Sequence, residues 1–313
     1  MKPKVSVCIP VYNVERFIAR CIQSIQQQSL EDIEIIVVND CTPDKSMDIV
    51  HSLAVNDSRI KIIDHDENHG LMVARKNGYM AATGDYITFC DSDDTLPKDA
   101  LYELYTAAVR EDADIISGKI SYISEEGVSS IMANQLRYGS DKLSVFQSLL
   151  KDEFLHNLCS KLFRRKLLQD YDYKTFEKAT NGEDGMLFYQ LVDNSTKVIA
   201  IQTVVYNYYV NGASSTHVKL SQNAINNIIL CNKIREEICM KYKSLEALTF
   251  KRISNAIFYH ISCGYKKEVK LALKIYQMEN YANMMCMLKY FSFWETIKLK
   301  MFSVCKTIYN KLR

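Results

Sequence analysis

Gly84-Asp85-Tyr86-Ile87-Thr88-Phe89-Cys90-Asp91-Ser92-Asp93-Asp94 is the stretch of sequence that decides the fold. Its apolar and aromatic residues predict a buried strand that ends in three carboxylates at the edge of a sheet. Carboxylates this close raise one another's pKa unless a cation lies among them. Alternation along an extended backbone directs Asp91 and Asp93 to one side, where their hard oxygens suit Mg²⁺ or Mn²⁺. Alternatively, Asp93 or Asp94 caps the helix that follows Pro97.

Three further strands alternate with helices before this stretch. The predicted strands are residues 5–9, 33–39 and 60–63, the first ending at Pro10, and the first helix begins near Val14. Short connections predict right-handed crossovers and a mostly parallel sheet covered by helices on both faces, an α/β fold. Ligands bind outside the carboxyl ends of such strands. The segment Pro10-Val11-Tyr12, Asp40 and the aspartates after Cys90 are therefore expected to line one crevice.

The composition excludes several classes of protein. The chain has 313 residues, 48% of them hydrophobic, which is enough for two units with sizeable cores. Its 39 basic and 37 acidic residues give a formal charge of +2, without the basic bias expected of a nucleic-acid-binding protein. Ten cysteines without C-x-x-C pairs or zinc spacing indicate reduced thiols. No apolar run reaches the roughly 20 residues of a membrane span, so we expect a cytoplasmic protein.

The common phosphate-binding loops are missing from the sequence. Neither G-x-G-x-x-G after the first strand nor G-x-x-x-x-G-K-[ST] occurs, which disfavours a Rossmann dehydrogenase or a P-loop enzyme. Phosphates bound in the crevice would therefore need a metal and a cation such as Arg75, in Ala74-Arg75-Lys76-Asn77-Gly78. Arg75 as an ordinary surface charge is the alternative.

Five short motifs follow one another in the first two thirds of the chain. They are Pro10-Val11-Tyr12-Asn13, Val37-Val38-Asn39-Asp40, Ala74-Arg75 with Gly78, Gly84-Asp85-Tyr86-Ile87 and Asp91-Ser92-Asp93-Asp94. Each is weak alone, but in this order and spacing they resemble family 2 glycosyltransferases of the GT-A fold. The resemblance implies that a sugar moves from a nucleotide-sugar donor to an acceptor hydroxyl with inversion at the anomeric carbon. Where the family often has Asp-Asp-Gly-Ser, this chain has Asn39-Asp40-Cys41-Thr42.

The resemblance also implies a donor site and a metal cofactor, Mn²⁺ or Mg²⁺. The implied donor-binding residues are Pro10, Val11, Tyr12, Asp40, Arg75, Asp91 and Ser92, and the implied metal ligands are Asp93 and Asp91. A carboxylate at Asp40 can accept a hydrogen bond from an imide N–H, which uracil has and cytosine and adenine lack. A UDP-sugar is therefore the expected donor, with dTDP next because thymine presents the same group.

A second acidic pair, in Asn181-Gly182-Glu183-Asp184, precedes an amphipathic helical run. Carboxylates in a first helical turn also complement the helix dipole, so one interpretation of this pair is purely structural. The resemblance implies that Asp184 is the general base and that Glu183 orients it or the acceptor. Inversion by a single displacement needs one such group to take the acceptor's proton.

Two further residues have open assignments. Cys159, in Cys159-Ser160-Lys161-Leu162-Phe163, occupies the aromatic position of the family's Trp-x-Lys-Leu-Tyr segment, and it is either a residue beside the acceptor path or a plain core thiol. His217, in the polar loop of residues 211–217, is either a third metal ligand or a solvated loop histidine.

The expected organisation is a glycosyltransferase domain over residues 1–220 and a helical region over residues 221–313. The first domain divides into a nucleotide-sugar half, about 1–112, and an acceptor half, about 113–220, in which residues 125–138 form an insertion over the crevice and residues 197–201 and 204–209 form two strands. The basic and aromatic residues of 291–313 fit either an inner-membrane interface, beside a glycan or lipid-linked acceptor, or a helix packed on protein.

Two other functions compete with glycosyl transfer. A nucleotidyltransferase usually has a glycine-rich loop and a lysine after its first strand, where this chain has Val11-Tyr12-Asn13-Val14. The other competitor is an inactive nucleotide- or glycan-binding module. The joint presence of Asp40, Asp93 and Asp184 argues against that loss of activity.

Overall fold

The structure is a computed structural model that describes residues 2–124, 127–132, 141–179, 182–210, 222–249 and 252. Residue contacts divide the chain into two units, Met1–Cys231 and Asn232–Arg313. The predicted boundary near residue 220, His217 and the basic aromatic tail all lie outside the described residues and stay predictions. Within the described part of the chain, no helix has the length and apolar character needed to span a membrane.

Strands and helices alternate through most of the described chain. The strands are β1 (Val5–Val11), β2 (Ile33–Asn39), β3 (Ile60–Asp64), β4 (Tyr86–Phe89), β5 (Ile115–Ser124), β6 (Gly127–Met132), β7 (Lys161–Arg164) and β8 (Val198–Tyr209). The helices are α1 (Ile18–Gln26), α2 (Ser46–Ala54), α3 (Leu71–Ala81), α4 (Ala100–Glu111), α5 (Lys142–Leu150), α6 (Arg165–Gln169), α7 (Glu183–Asn194) and α8 (Gln222–Cys239).

All eight strands belong to one sheet, whose main path runs β3-β2-β1-β4-β7-β5-β6, with β8 paired to β5. The pairs β3-β2, β2-β1 and β1-β4 are parallel, as predicted. Strand β7 runs antiparallel to both β4 and β5, and it joins the parallel part to the second half of the sheet. The predicted α/β fold with a mostly parallel central sheet is confirmed.

Helices cover both faces of the parallel part of the sheet. Successive residues of β1 therefore point alternately into two apolar layers. Val7 and Ile9 belong to the cluster that includes residues of α1 and α4. Cys8 faces the other way, where α3 approaches so closely that a Cβ on Gly78 would lie 3.2 Å from the Cys8 Cβ. The chain leaves β1 for β2 on one side and returns to β4 on the other. The carboxyl ends of β1 and β4 therefore flank a topological switch point, where ligands bind in such sheets.

Two predicted boundaries near the start of the chain are wrong. Strand β1 continues through Pro10 to Val11, because β4 pairs with β1 only as far as Cys8 and Pro10 is paired in register with β2 alone. A proline at that position removes no hydrogen bond to β4. Helix α1 begins at Ile18, four residues after the predicted start at Val14, because turns occupy the intervening residues.

Two predictions in the second half of the sheet are also wrong. The described part of the predicted insertion forms β6, which extends the sheet antiparallel to β5. The two strands predicted for residues 197–209 are one strand, β8, whose register against β5 shifts on either side of Lys119. Gly118 allows this shift, since a Cβ there would lie 2.3 Å from the Val205 Cγ2. A bulge of this kind bends a strand without ending it.

A buried carboxylate holds the opposite end of the sheet together. Glu34 is 2% exposed and accepts hydrogen bonds from the Ser6 hydroxyl at 2.6 Å, the Thr83 N–H at 2.6 Å, the Gly84 N–H at 3.1 Å and the Lys61 ammonium. Burial alone would raise the pKa of Glu34, but these donors outweigh it and lower the pKa to about 2. The carboxylate form therefore stabilises the fold.

This carboxylate predicts a pH-dependent stability. A lowered folded-state pKa stabilises the protein above the unfolded value, and this contribution disappears as the pH falls from about 4.5 towards about 2. We expect Glu34→Gln to lower the free energy of unfolding by about 3 kcal/mol at pH 7 and by much less near pH 3. Urea titrations at both pH values measure the difference. Glu31→Gln, at an exposed position, is the control, and an equal loss in both variants would contradict the assignment.

Candidate active site

A buried guanidinium lies at the centre of the candidate site. Arg75 projects from α3 and is 2% exposed. Its Nη2 donates to Asp91 Oδ1 at 2.7 Å, and its Nη1 donates to Asp184 Oδ1. Glu183 Oε1 is 3.9 Å from the same Nη1. The carboxylates that follow β4 and those that begin α7 thus meet around one cation, which belongs to the protein itself.

Charge pairing explains why this guanidinium is tolerated inside the protein. Burial disfavours the charged form of Arg75, but the carboxylates of Asp184 and Asp91 outweigh that effect and raise its pKa well above the ordinary value. An unpaired charge at this depth would be strongly destabilising. The alternative interpretation of Arg75 as a surface charge is therefore wrong.

The remaining oxygens of the two aspartates contact a single turn. The Cys159 thiol donates to Asp91 Oδ2 at 3.2 Å, and the Leu158 N–H donates to Asp184 Oδ2 at 3.3 Å. Cys159 is 3% exposed, and burial followed by the charge of Asp91 raises the pKa of its thiol. The interpretation of Cys159 as a buried thiol is confirmed, and its position beside an acceptor path stays a prediction.

Glu183 is the least satisfied carboxyl group of the cluster. Its side chain is 12% exposed, and its Oε2 has no hydrogen-bond partner among the described residues. Burial and the neighbouring charge of Asp184 raise the pKa of Glu183, while Arg75 opposes that shift. Asp184 accepts hydrogen bonds from Arg75 and from the Leu158 N–H, whereas the Glu183 carboxyl group has a 3.9 Å ion pair with Arg75 and a contact with its own backbone N–H.

Asp94 connects the loop after β4 to β8, which the sequence did not indicate. It is 1% exposed, and it accepts hydrogen bonds from the Tyr206 hydroxyl at 2.7 Å and from the Tyr209 N–H at 2.8 Å. These bonds tie the loop after β4 to β8. Helix α4 begins at Ala100, and its N-cap residue is Asp99. The alternative in which Asp93 or Asp94 caps that helix is therefore wrong.

The acidic loop favours a cation through its charge rather than through a complete ligand shell. Burial, followed by the charges of Asp91 and Asp93, raises the pKa of Asp94 to about 8. No three His, Cys, Asp or Glu side chains within the described ranges are placed to hold a metal ion together. Mg²⁺ and similar cations are commonly bound by one or two carboxylates and by substrate phosphates. The half-exposed Asp93 fits that pattern, whereas both oxygens of Asp91 already accept bonds from Arg75 and Cys159.

Asp40, at the end of β2, organises the loop that leads from β3 to α3. It is 3% exposed, and it accepts hydrogen bonds from His65 Nδ1 at 2.8 Å, the His69 N–H at 2.9 Å and the Gly70 N–H at 2.8 Å. The Asn77 amide nitrogen lies 2.9 Å from His65 Nε2, which leaves Nδ1 as the protonated nitrogen facing Asp40. Recognition of a base by Asp40 stays a prediction, since the described contacts of its carboxylate are with this loop.

The other predicted donor residues lie at the same edge of the sheet but differ in exposure. Tyr12 is 49% exposed immediately after β1, whereas Val11 is fully buried and Ser92 is 7% exposed. The next residue, Asn13, has a φ of 56°, and its N–H donates to the Thr42 hydroxyl at 2.8 Å. The Tyr12 ring is thus the accessible apolar surface of this segment.

Several residues of the site were missed in the sequence. The Leu158 N–H, His65, His69 and Tyr206 all contact the predicted aspartates, but none belongs to a motif that distinguishes it from a core or loop residue. Lys161 lies in the motif from Cys159 to Phe163, which by itself indicates no role for it. Only the spatial arrangement of the elements identifies these contacts.

Comparison with known proteins identifies the family. Residues 6–172 match the family described as Glycosyl transferase family 2, which covers more than half of the chain. The chain belongs to glycosyltransferase family 2. Glycosyltransferase GlyA of Streptococcus pneumoniae is 34% identical to this chain over 224 residues, which are 69% of this chain and 32% of GlyA. The uncharacterized glycosyltransferase EpsJ of Bacillus subtilis is 32% identical over 70% of this chain and 64% of EpsJ.

The family member also shares its fold with a solved structure. The crystal structure of S. aureus TarS residues 1–349 in complex with UDP superimposes with a TM-score of 0.64, over 83% of this chain and 72% of that one, at 19% sequence identity. This likeness supports the GT-A fold. The chain spans about one third of the length of GlyA and just under two thirds of EpsJ.

Proposed function

We propose that this protein is an inverting glycosyltransferase that moves a sugar from a UDP-sugar to a hydroxyl group of a glycan or lipid-linked acceptor. The observation that carries the proposal is the Arg75 guanidinium, which joins Asp91 from the predicted donor site to Asp184, the predicted base. Because one side chain fixes both carboxylates, a donor held near Asp91 lies next to a group that can accept a proton.

Asp184 is the base in this proposal. The acceptor oxygen attacks the anomeric carbon on the face opposite the departing UDP, a new C–O bond forms, and the bond to the phosphate oxygen breaks. The acceptor's proton passes to a carboxylate oxygen of Asp184. Arg75 and the Leu158 N–H occupy one lone pair on each oxygen, so each keeps a second lone pair for the proton.

Asp93 is the proposed protein ligand for a divalent cation shared with the donor diphosphate. Such a cation would supply positive charge that stabilises the departing phosphate oxygens. Arg20 supports the loop, because its Nη2 donates to the backbone carbonyl of Asp93 while its guanidinium stacks 3.6 Å from the centre of the Tyr209 ring. Asp91 as a second ligand stays a prediction.

UDP is the proposed nucleotide on two grounds. The Asp40 carboxylate suits the imide N–H of uracil, and TarS, which has a similar fold, was crystallised with UDP. A panel of nucleotide sugars, screened for Mn²⁺-dependent hydrolysis and for transfer, tests the donor. Turnover of a UDP-sugar above all others is the expected result. Binding of CTP or ATP without binding of UDP would contradict it.

The metal assignment predicts a selective loss of binding. We expect Asp93→Asn to weaken UDP binding in the presence of Mn²⁺ on the order of tenfold or more and to leave metal-free binding within about twofold, because only the shared cation is lost. Calorimetry with and without Mn²⁺ measures both. The control is Asp99→Asn, which makes the same charge change at an exposed position on the following turn. Equal losses with and without Mn²⁺ would remove Asp93 from the metal site.

A further inference from the structure

The most deeply buried charged side chain of the described residues lies behind the candidate site. Lys161, the first residue of β7, has a relative exposure of 0%. Its backbone is fixed between two strands, because it pairs with Ser117 of β5 and its carbonyl accepts from the Thr88 hydroxyl at 2.7 Å. Fully buried lysines are rare unless the ammonium is paired, because the charge loses its hydration.

The hydrogen-bond and ring partners of this ammonium among the described residues are uncharged groups of nearby residues. Its Nζ donates to the Asn157 carbonyl at 2.7 Å and to the Asn157 side-chain oxygen at 2.9 Å. The Phe188 and Phe154 ring centres lie 4.9 and 5.4 Å away, within the range of cation–π attraction. Phe188 belongs to α7, the helix whose first turn carries Asp184. The ammonium therefore lies between that helix and the segment that precedes β7.

Asn157 begins a tight turn of residues 157–160, which we call the 157–160 turn. The Asn157 amide donates to the Cys159 carbonyl at 2.6 Å, and Ser160 has a φ of 62°, which non-glycine residues adopt rarely. The Ser160 carbonyl accepts from the Gly118 N–H at 2.9 Å. A turn in this conformation persists only where its surroundings hold it, and both Asn157 oxygens are held by Lys161.

The same turn directs two donors at the site. Leu158 N–H points to Asp184 Oδ2 and Cys159 Sγ to Asp91 Oδ2, so the turn contacts the carboxylate oxygens that Arg75 does not. If the turn relaxed, Asp184 would keep its contact with Arg75 and lose the donor on its other oxygen. Its orientation towards an acceptor would then no longer be fixed.

We propose that Lys161 is a positioning residue for Asp184, and that its buried ammonium acts by holding the 157–160 turn in the conformation that aims Leu158 N–H at the base. The inference rests on the proposed function, in which Asp184 takes the acceptor's proton. The inference assigns a role to a residue that touches neither the donor nor the acceptor. It also explains why a charged side chain is buried beneath the site.

The charges around this ammonium determine the pH behaviour to be measured. Burial lowers the pKa of Lys161 to about 7, against the opposing influence of Cys159 and Asp184, so it carries its charge below neutral pH. The charged and titratable groups on the surrounding elements include Asp184 and Glu183 on α7, Arg75 on α3, Asp91 after β4 and Cys159 in the turn. They also include His156, which precedes the turn and stacks on Tyr189 of α7. A carboxylate near a cation loses its proton more readily, so loss of the ammonium should move the acidic limb of the kcat–pH profile to higher pH.

Two single variants and their combination test the proposal on the full chain. Lys161→Met removes the charge and keeps an unbranched side chain. Asn157→Ala leaves Lys161 in place and removes one acceptor of its ammonium, together with the amide donor to the Cys159 carbonyl. We expect each to lower kcat on the order of 10- to 100-fold, with the KM for the UDP-sugar within about twofold. We expect the double variant to be no worse than the more affected single variant, because both act through the same turn. Lys197→Met is the control, since its ammonium donates to the Glu111 carbonyl away from the site, and its kcat should not change.

Three outcomes would overturn the inference. These are an unchanged acidic limb in folded Lys161→Met, a fully additive double variant, and an unchanged kcat in Asn157→Ala. The last result decides the question even if Lys161→Met does not fold. A merely structural lysine would alter the melting temperature without moving the pH profile. Asp184→Asn distinguishes failure of the proposed function from failure of this inference. If Asp184→Asn retains transfer, the assignment of the base is wrong. If Asp184→Asn is inactive and Lys161→Met keeps the original pH profile, only the role of Lys161 is wrong.

Discussion

Asp184→Asn should lower kcat for glycosyl transfer by about 10²- to 10⁴-fold and leave the dissociation constant for UDP within about threefold. Asparagine has nearly the same shape, and its oxygen can still accept the hydrogen bond from Arg75, so the cluster keeps most of its geometry. An amide cannot take up the acceptor's proton at neutral pH. Steady-state kinetics with a UDP-sugar and calorimetry with UDP measure the two quantities separately.

A matched control isolates the effect of position from that of charge. Asp172→Asn makes the same change on a side chain that is 98% exposed, and it should leave both kcat and UDP binding unchanged. If Asp184→Asn weakened UDP binding as much as it lowered kcat, Asp184 would act in binding the donor rather than in removing a proton. A variant with full activity would contradict the proposed mechanism.

Arg75→Met should destabilise the fold by about 3–5 kcal/mol and abolish transfer. The substitution removes the cation shared by Asp91, Asp184 and Glu183 and leaves their carboxylates close together without a partner. Urea unfolding at pH 7 measures the loss. The loss should become smaller as the pH falls, because carboxylates that repel one another in a buried cluster take up protons more readily in the folded state than in the unfolded state.

A second arginine provides the comparison for this prediction. Arg59 pairs with Asp57 at 2.8 Å, but its side chain is 29% exposed, so Arg59→Met should cost less than Arg75→Met, about 1–2 kcal/mol. If the two variants lost equal stability, the Arg75 cluster would not be held by buried charge. If the stability lost by Arg75→Met relative to the unsubstituted protein were larger at low pH than at neutral pH, repulsion among the carboxylates would not be the cause.

The order of strands and helices was predictable because hydrophobic periodicity records which face of each element is buried. The uniform apolar runs of β1 and β2 indicate strands covered on both faces, and the structure buries both almost completely. Periodicity was less informative for residues 125–138, where Ile131 and Met132 are apolar but exposed and belong to β6, which pairs antiparallel with β5. It also predicted a break within β8, because a bulge interrupts alternation without ending the strand.

The sequence by itself determined the fold class, the family, and the edge of the sheet at which Tyr12, Asp40 and the aspartates after β4 lie. It determined these because local periodicity and the positions of strand ends depend on neighbours along the chain. Only the tertiary structure decided which charges pair: Arg75 and Asp184 are 109 positions apart, and they meet because α3 and α7 both approach the end of β4. The roles of Asp94 and Lys161 also depend on the tertiary structure. The donors, acceptors and water around a carboxylate or an ammonium determine whether it stabilises the fold or serves the site.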